Sequence, residues 1–177
     1  CGSATRTVID LPSFIGGDQW VRQCRECGHG SIAVIHTQDS NYTSAATDFS
    51  RQGIYWFQSH IRGHFRTALD FGCNDGMLLR CVTADRKIGV DLYAKPDGIE
   101  LHAGLDTVQA SPDLVMSRHT LEHLAYPVAA LKSMVAIASP QAVFALEVPA
   151  FDAAVAALRF DHVHNGHYQY FSHRSFR

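Results

Sequence analysis

The stretch ALDFGCNDG at residues 68–76 ends an apolar run in an acid and then sets two glycines around Cys-Asn-Asp. Gly72 and Gly76 let the backbone bend sharply and come close to a ligand. A helix starting beyond them would offer free N–H groups to a carboxylate or phosphate. Asn74 and Asp75 add a pair of acceptors suited to an ammonium or sulfonium centre. A dinucleotide site would read G-x-G-x-x-G, and GCNDG lacks the middle glycine, so a pyrophosphate has no second point of close approach. About one strand further on, IGVDL places Asp91 where an acid suits the two hydroxyls of a ribose.

Sulfur and imidazole form two further groups. Cys24 and Cys27, in CRECG with Gly28 behind them, have the spacing of a knuckle that brings two thiolates to one zinc. Cys1, followed by Gly2, supplies a third sulfur for a structural metal. The fourth ligand would stand three positions ahead of Cys1, or be His29 or His36. The plain alternative is that Cys24 and Cys27 are reduced core thiols, as Cys73 and Cys81 read. Near the other end, DHVHNGHYQYF gathers His162, His164 and His167. His162 and His164 would share one face of a strand, but no carboxylate follows to complete a metal site. Proton transfer is the other use, since imidazole titrates near neutrality.

These side chains need elements to hold them. Residues 1–37 are turn-rich with short strand patterns, and 38–46 read as a polar connector. From Thr47 a helix is expected, with Phe49, Gly53, Trp56, Phe57, His60 and Ile61 on one face. Strand and helix patterns then alternate. RTALDFG, RKIGVDL, PDLVMSR and QAVFALEVP read as strands, DGMLLRCVT and AYPVAALKSMVAIAS as helices. Val128, Leu131, Val135 and Ala138 would share one face of the second helix, with Pro127 near its first turn. Such alternation predicts a parallel sheet covered on both faces, with ligands at the carboxyl ends of its strands.

Composition sets outer limits. The chain has 177 residues, 46% of them hydrophobic, enough for a real core. Its formal charge is −2, without a basic run, which argues against nucleic-acid and anionic-membrane partners. No apolar stretch reaches the roughly 20 residues of a membrane span. No signal peptide opens the chain, and five cysteines suit a reducing compartment, so a cytoplasmic location is expected. The sequence starts without Met and stops in HRSFR, which reads as the beginning of a helix, so further strands are expected beyond it. Oligomeric state is not legible.

ALDFGCNDG, IGVDL, DLVMSRHTLEHL and FALEVP resemble the successive motifs of class I S-adenosylmethionine-dependent methyltransferases. The Gly-x-Asn-Asp-Gly turn, the Cys-x2-Cys module ahead of it and FDHVHNGHYQYFSHRSF after the last strand are similar to sugar C-methyltransferases acting on nucleotide-linked 4-keto-deoxysugars. The resemblance implies a small zinc module at 1–37, a connector at 38–46 and a Rossmann-like methyltransferase domain at 47–177. S-adenosylmethionine would be the cofactor, S-adenosylhomocysteine the product, zinc a structural ion, and a nucleotide-sugar the small-molecule partner.

The resemblance also implies roles. The cofactor site would take in Asp70, Gly72, Cys73, Asn74, Asp75 and Gly76 at the methionine end. Asp91 and Leu92 would lie by the ribose, Gly104 and Leu105 by the adenine, and Arg118 and His119 under the methionine. His167, His164 and Tyr42 are the catalytic candidates. His167 would remove the hydrogen that a 4-keto group acidifies, and the enolate would take the methyl. Glu122 and His123 could face the same site or serve packing. The chain departs from the family's Tyr-His-Glu-His, carrying His164 for the Tyr and Gly166 for the Glu. That departure keeps open an O- or N-methyltransferase on another small molecule, or a module that holds the cofactor without turnover.

Overall fold

The structure, a computed structural model, describes residues 3–11, 19–32, 48–159, 162–163 and 166–176. The chain forms two units. The larger takes residues 41–120 and 128–147, the smaller 1–40, 121–127 and 148–177.

The larger unit contains helix α1 (Asp48–Gln58), strand β4 (Phe65–Phe71), helix α2 (Met77–Cys81), and strands β5 (Ala84–Val90), β6 (Glu100–His102) and β7 (Leu114–Arg118). Helix α3 (Pro127–Ile137) and strand β8 (Val143–Glu147) complete it. The sheet order is β6-β5-β4-β7-β8, parallel throughout. This is the parallel sheet that the strand–helix alternation predicts, in the Rossmann-like arrangement that the motif resemblance implies. The order reverses between β4 and β7, so their carboxyl ends flank the crevice where open α/β sheets take ligands. Ser117 of β7 is fully buried and donates to the Phe71 carbonyl at 2.9 Å, tying the two strands at that point. At the opposite end, the Asp113 carboxylate accepts the N–H groups of Arg66 and Thr67 at 3.0 and 2.8 Å.

Strand β4 is buried on both faces, as a central parallel strand must be, and only Arg66 in its interior is exposed. Its core joins Ile54 and Phe57 of α1 with Leu78, Leu79 and Val82 beside α2 and with Leu114 and Met116 of β7. Two expected helix faces are corrected. On α1 the buried residues are Ile54 and Phe57, while Trp56 is 63% exposed and its ring lies 4.5 Å from that of His60. On α3 it is Met134 that is fully buried, and Val128 and Val135 are exposed. On α3 apolar residues surround most of the helix, so the 3.6-residue period has little contrast, while on α1 the consecutive run Ile54–Phe57 puts apolar side chains on several sides.

The smaller unit holds strands β1 (Thr5–Leu11), β2 (Gln19–Cys24), β3 (Gly30–Ile32) and β9 (Gln169–Tyr170), with helix α4 (Phe151–Ala156). Its sheet runs β1-β2-β3-β9, antiparallel. Val21, Ile32, Phe151 and Tyr170 form its core. The expected division at residue 47 therefore differs from the observed one. The tail returns as β9 and pairs Gly30 with Tyr170 and Ser31 with Gln169. Gly30 makes this approach possible, since an added Cβ would lie 3.0 Å from Tyr170 Cβ. The connector at 38–46 lies outside the described residues. At HRSFR the described residues form a turn in which Ser172 and Ser175 bond each other through side chains and backbone, and Phe176 N–H donates to Ser172 O at 3.2 Å. Among the described residues no helix is long and apolar enough to cross a membrane.

Candidate functional site

Strand β4 carries Asp70 to the carboxyl edge of the sheet, and the chain then turns through three left-handed residues. Gly72, Asn74 and Gly76 have φ of 81°, 46° and 74°. Gly72 N–H donates to Val90 O at 2.7 Å and Gly76 N–H to Cys73 O at 2.8 Å, which fixes the turn. A Cβ on Gly72 would overlap the Thr120 side chain, and one on Gly76 would overlap Ile99. Both glycines thus answer a positive φ and a close neighbour at once. Cys73 is buried, and burial first, with the Asp70 charge second, pushes its thiol up to about 12. It packs against Gly89, where a Cβ would stand 2.6 Å from Sγ.

The expected acceptors are partly engaged within the protein. Asp75 Oδ1 accepts Met77 N–H at 3.0 Å, so it closes the first turn of α2. Asp91 accepts three backbone N–H groups, from Asn74 at 3.1 Å, Tyr93 at 2.9 Å and Ala94 at 3.0 Å. A carboxylate offers about four lone-pair positions, so one remains for a ribose hydroxyl where two were expected. Asp91 is also the strap that holds the Asn74 turn to the end of β5.

Asp70 is the unusual group. It is 3% exposed, and its Oδ1 has no hydrogen-bond partner among the described residues. Burial first and then the charges of Asp91 and Asp75 raise its carboxyl to about 7, against the opposing pull of Arg118. Three carboxylates therefore converge on the Gly72–Gly76 turn with one guanidinium among them.

The remaining expected cofactor residues fall in the same unit. Leu92 is 71% exposed. Gly104 is extended and leads into a short turn, Leu105–Thr107, whose Leu105 is buried. At the end of β7, Arg118 Nε and His119 Nε2 each lie 2.9 Å from Glu147 Oε1. The Arg118 guanidinium covers Gly53 of α1, where a Cβ would overlap it. His119 has a φ of 51°, uncommon for a residue with a side chain.

The smaller unit holds the sulfur and tail groups. Cys24 and Cys27, neither in a disulfide, stand either side of a tight turn, with Gly28 at φ 72° and Gly28 N–H on Cys24 O at 3.0 Å. Hydrogen bonds from the backbone at Cys27 and Glu26 hold the Cys24 thiol below its ordinary value. Cys1, His36, Tyr42 and His164 lie outside the described residues. His29 Nε2 is engaged with Gln169 Oε1 at 2.9 Å. His167 is 7% exposed and donates Nδ1–H to His162 O at 2.8 Å. Its ring meets that of His123 edge-on at 4.8 Å, and His123 donates Nδ1–H to Gly166 O. With buried Glu122 these two form the one trio of metal-capable side chains among the described residues, donor atoms within 4.8 Å.

Residues 26–177 match a family described as a methyltransferase domain. The chain belongs to this family. No curated protein matches the methyltransferase chain. Among solved structures it resembles the putative methyltransferase of Haloferax volcanii, determined in complex with the Trm112 methyltransferase activator. The TM-score is 0.56 and the identity 19%, over 73% of this chain and 68% of that one. It also resembles DhpI in its complex named DhpI-SAM-HEP, with TM-score 0.50 and 18% identity over 63% of this chain and 61% of that one. The methyltransferase chain thus spans about two thirds of the length of these two structures.

Three residues that build the candidate site have little or no signal in the sequence: Ser117, Thr120 and Glu147. Glu147 was legible only as the acid closing the last strand, and its partners stand 28 and 29 residues earlier. Ser117 and Thr120 have no signal of their own, because their roles are set by which strand lies alongside.

Proposed function

We propose that the protein transfers a methyl group from S-adenosylmethionine to a carbon of a nucleotide-linked keto-sugar. The observation that carries the cofactor is Asp70. A buried carboxyl with an open acceptor, raised by two neighbouring carboxylates, favours a cation beside it and repels a phosphate. S-adenosylmethionine brings an ammonium and a sulfonium, whereas a dinucleotide would bring a pyrophosphate. The residues present fit that group. Asp70 would meet the ammonium, the bare backbone at Gly72 and Gly76 would admit the methionine part, and Asp91 would accept one ribose hydroxyl. When bound, the cofactor supplies a sulfonium methyl that an electron-rich acceptor atom can attack.

Carbon becomes a nucleophile only after it loses a proton, and a neighbouring keto group makes that loss feasible. The motif resemblance supports this acceptor and offers His167 as one candidate for the base. His167 holds its Nδ1 proton on the His162 carbonyl, so Nε2 would be the accepting atom. The Cys24–Cys27 turn supports a structural zinc in the same resemblance, with Cys1 as a third ligand. A panel of nucleotide-linked keto-sugars incubated with S-adenosylmethionine, read by product mass, tests the acceptor. A product heavier by one methylene, with deuterium lost from the carbon beside the keto group, is expected. Methylation of oxygen or nitrogen alone would overturn the keto-sugar reading.

A further inference from the structure

We propose that His119, oriented by Glu147, is the group that removes the acceptor's proton. The proposal rests on the methyl-transfer reading above and assigns its base to a residue of the larger unit. Three observations carry it. First, His119 is held twice by Glu147: its backbone N–H donates to Glu147 O at 3.0 Å, and its Nε2 lies 2.9 Å from Oε1. A carboxylate only accepts, so Nε2 carries the proton and Nδ1 carries the lone pair of the neutral ring. This is the tautomer logic of a carboxylate-oriented histidine. Second, the residue has a left-handed backbone at the carboxyl edge of β7, the kind of local strain that concentrates at working sites. The next residue, Thr120, packs on Gly72 of the cradle. Third, the His119 side chain is 39% exposed, whereas His167 is 7% exposed. A base must reach its substrate within about 3 Å, directly or through one water.

Burial works against the charge of Glu147, but the His119 hydrogen bond and the nearby Arg118 outweigh it and hold the carboxyl below its usual range. Glu147 is therefore an anion that can stabilise the ring once it becomes an imidazolium. The step balances. Nδ1 takes the proton, the C–H electron pair passes into the enolate, and that pair attacks the sulfonium methyl. The carbon–sulfur pair returns to sulfur, and the imidazolium proton leaves to water. Glu147 is a positioning residue in this scheme and does not touch the acceptor.

The test uses the full chain, a nucleotide-linked 4-keto-6-deoxyhexose and S-adenosylhomocysteine in deuterated water. Exchange at the carbon beside the keto group reports proton removal without methyl transfer, and methylation is then measured with S-adenosylmethionine. His119→Gly suits the positive φ, so the backbone there is not strained, and added imidazole can occupy the vacated space. Expected, at saturating S-adenosylhomocysteine or S-adenosylmethionine, are a loss of at least about 100-fold in both exchange and turnover and partial recovery of both with imidazole. Glu147→Gln should lower kcat about tenfold with KM unchanged. Turnover like the parent's in His119→Gly, together with its loss in His167→Asn, would overturn the proposal and leave the methyl-transfer reading standing. A parent that neither exchanges nor methylates any keto-sugar overturns both.

Discussion

At the scale of single residues, Asp70 gives the sharpest expectation. Its folded value of about 7 stands above the 3.8 of an ordinary Asp, so the neutral form is favoured in the folded chain. The stability this gives is complete below the ordinary value and is lost as pH rises through about 7. Asp70→Asn removes the dependence. Denaturant unfolding of the cofactor-free protein should show the variant gaining on the parent by about 2 kcal/mol between pH 5.5 and pH 8, because each tenfold change in a protonation equilibrium is worth about 1.4 kcal/mol. A constant difference across that range would show that the carboxyl is not desolvated. Gly72→Ala acts differently. It places a side chain at φ 81° and into Thr120, so a loss of about 2 kcal/mol or more is expected in the same measurement. Asp91→Ala removes the strap on the Asn74 turn as well as a ribose acceptor. Calorimetry should show cofactor affinity weaker by about 1–3 kcal/mol.

At the scale of elements, the larger unit was the more legible part. Strands such as RTALDFG and DLVMSR hold short apolar runs without the alternation of a half-exposed strand, and a parallel sheet covered on both faces accounts for them. The turn after β4 was legible because glycines at positive φ have few substitutes. Helix faces were not, since α1 and α3 are apolar on several sides. Nor was β9, a two-residue strand whose partner stands some 140 residues away. No local pattern encodes that pairing. Its consequence is testable: a chain ending at residue 168 should lose hydrogen-exchange protection at Val21 and Arg22, because β3 is left as an edge and Tyr170 leaves the core. Unchanged protection there would show that β1 to β3 stand without the tail. The proposed zinc concerns the smaller unit. Carefully purified protein should hold one equivalent by elemental analysis and lose it in Cys24→Ser, with the small sheet melting before the large one. Metal-free protein with an intact small sheet would remove the ion from the account.

At the scale of the whole molecule, the charge pattern separates one ligand class from another. A net charge of −2 is unremarkable, but three of the acids sit around one glycine turn with a buried oxygen left open. The cofactor candidates from Asp70 to His119 all lie in the larger unit, while the cysteine turn and the His123–His167 pair lie in the smaller. Cofactor binding should therefore survive changes in the smaller unit that leave it folded. The most direct measurement is calorimetric titration of the full chain near pH 7.5 with S-adenosylmethionine and, separately, with NAD, for parent and Asp70→Asn. The account predicts that S-adenosylmethionine binds, that NAD does not, and that Asp70→Asn weakens the first by roughly tenfold or more. Binding of NAD in place of S-adenosylmethionine, or an Asp70→Asn variant that binds S-adenosylmethionine as tightly as the parent, would contradict it.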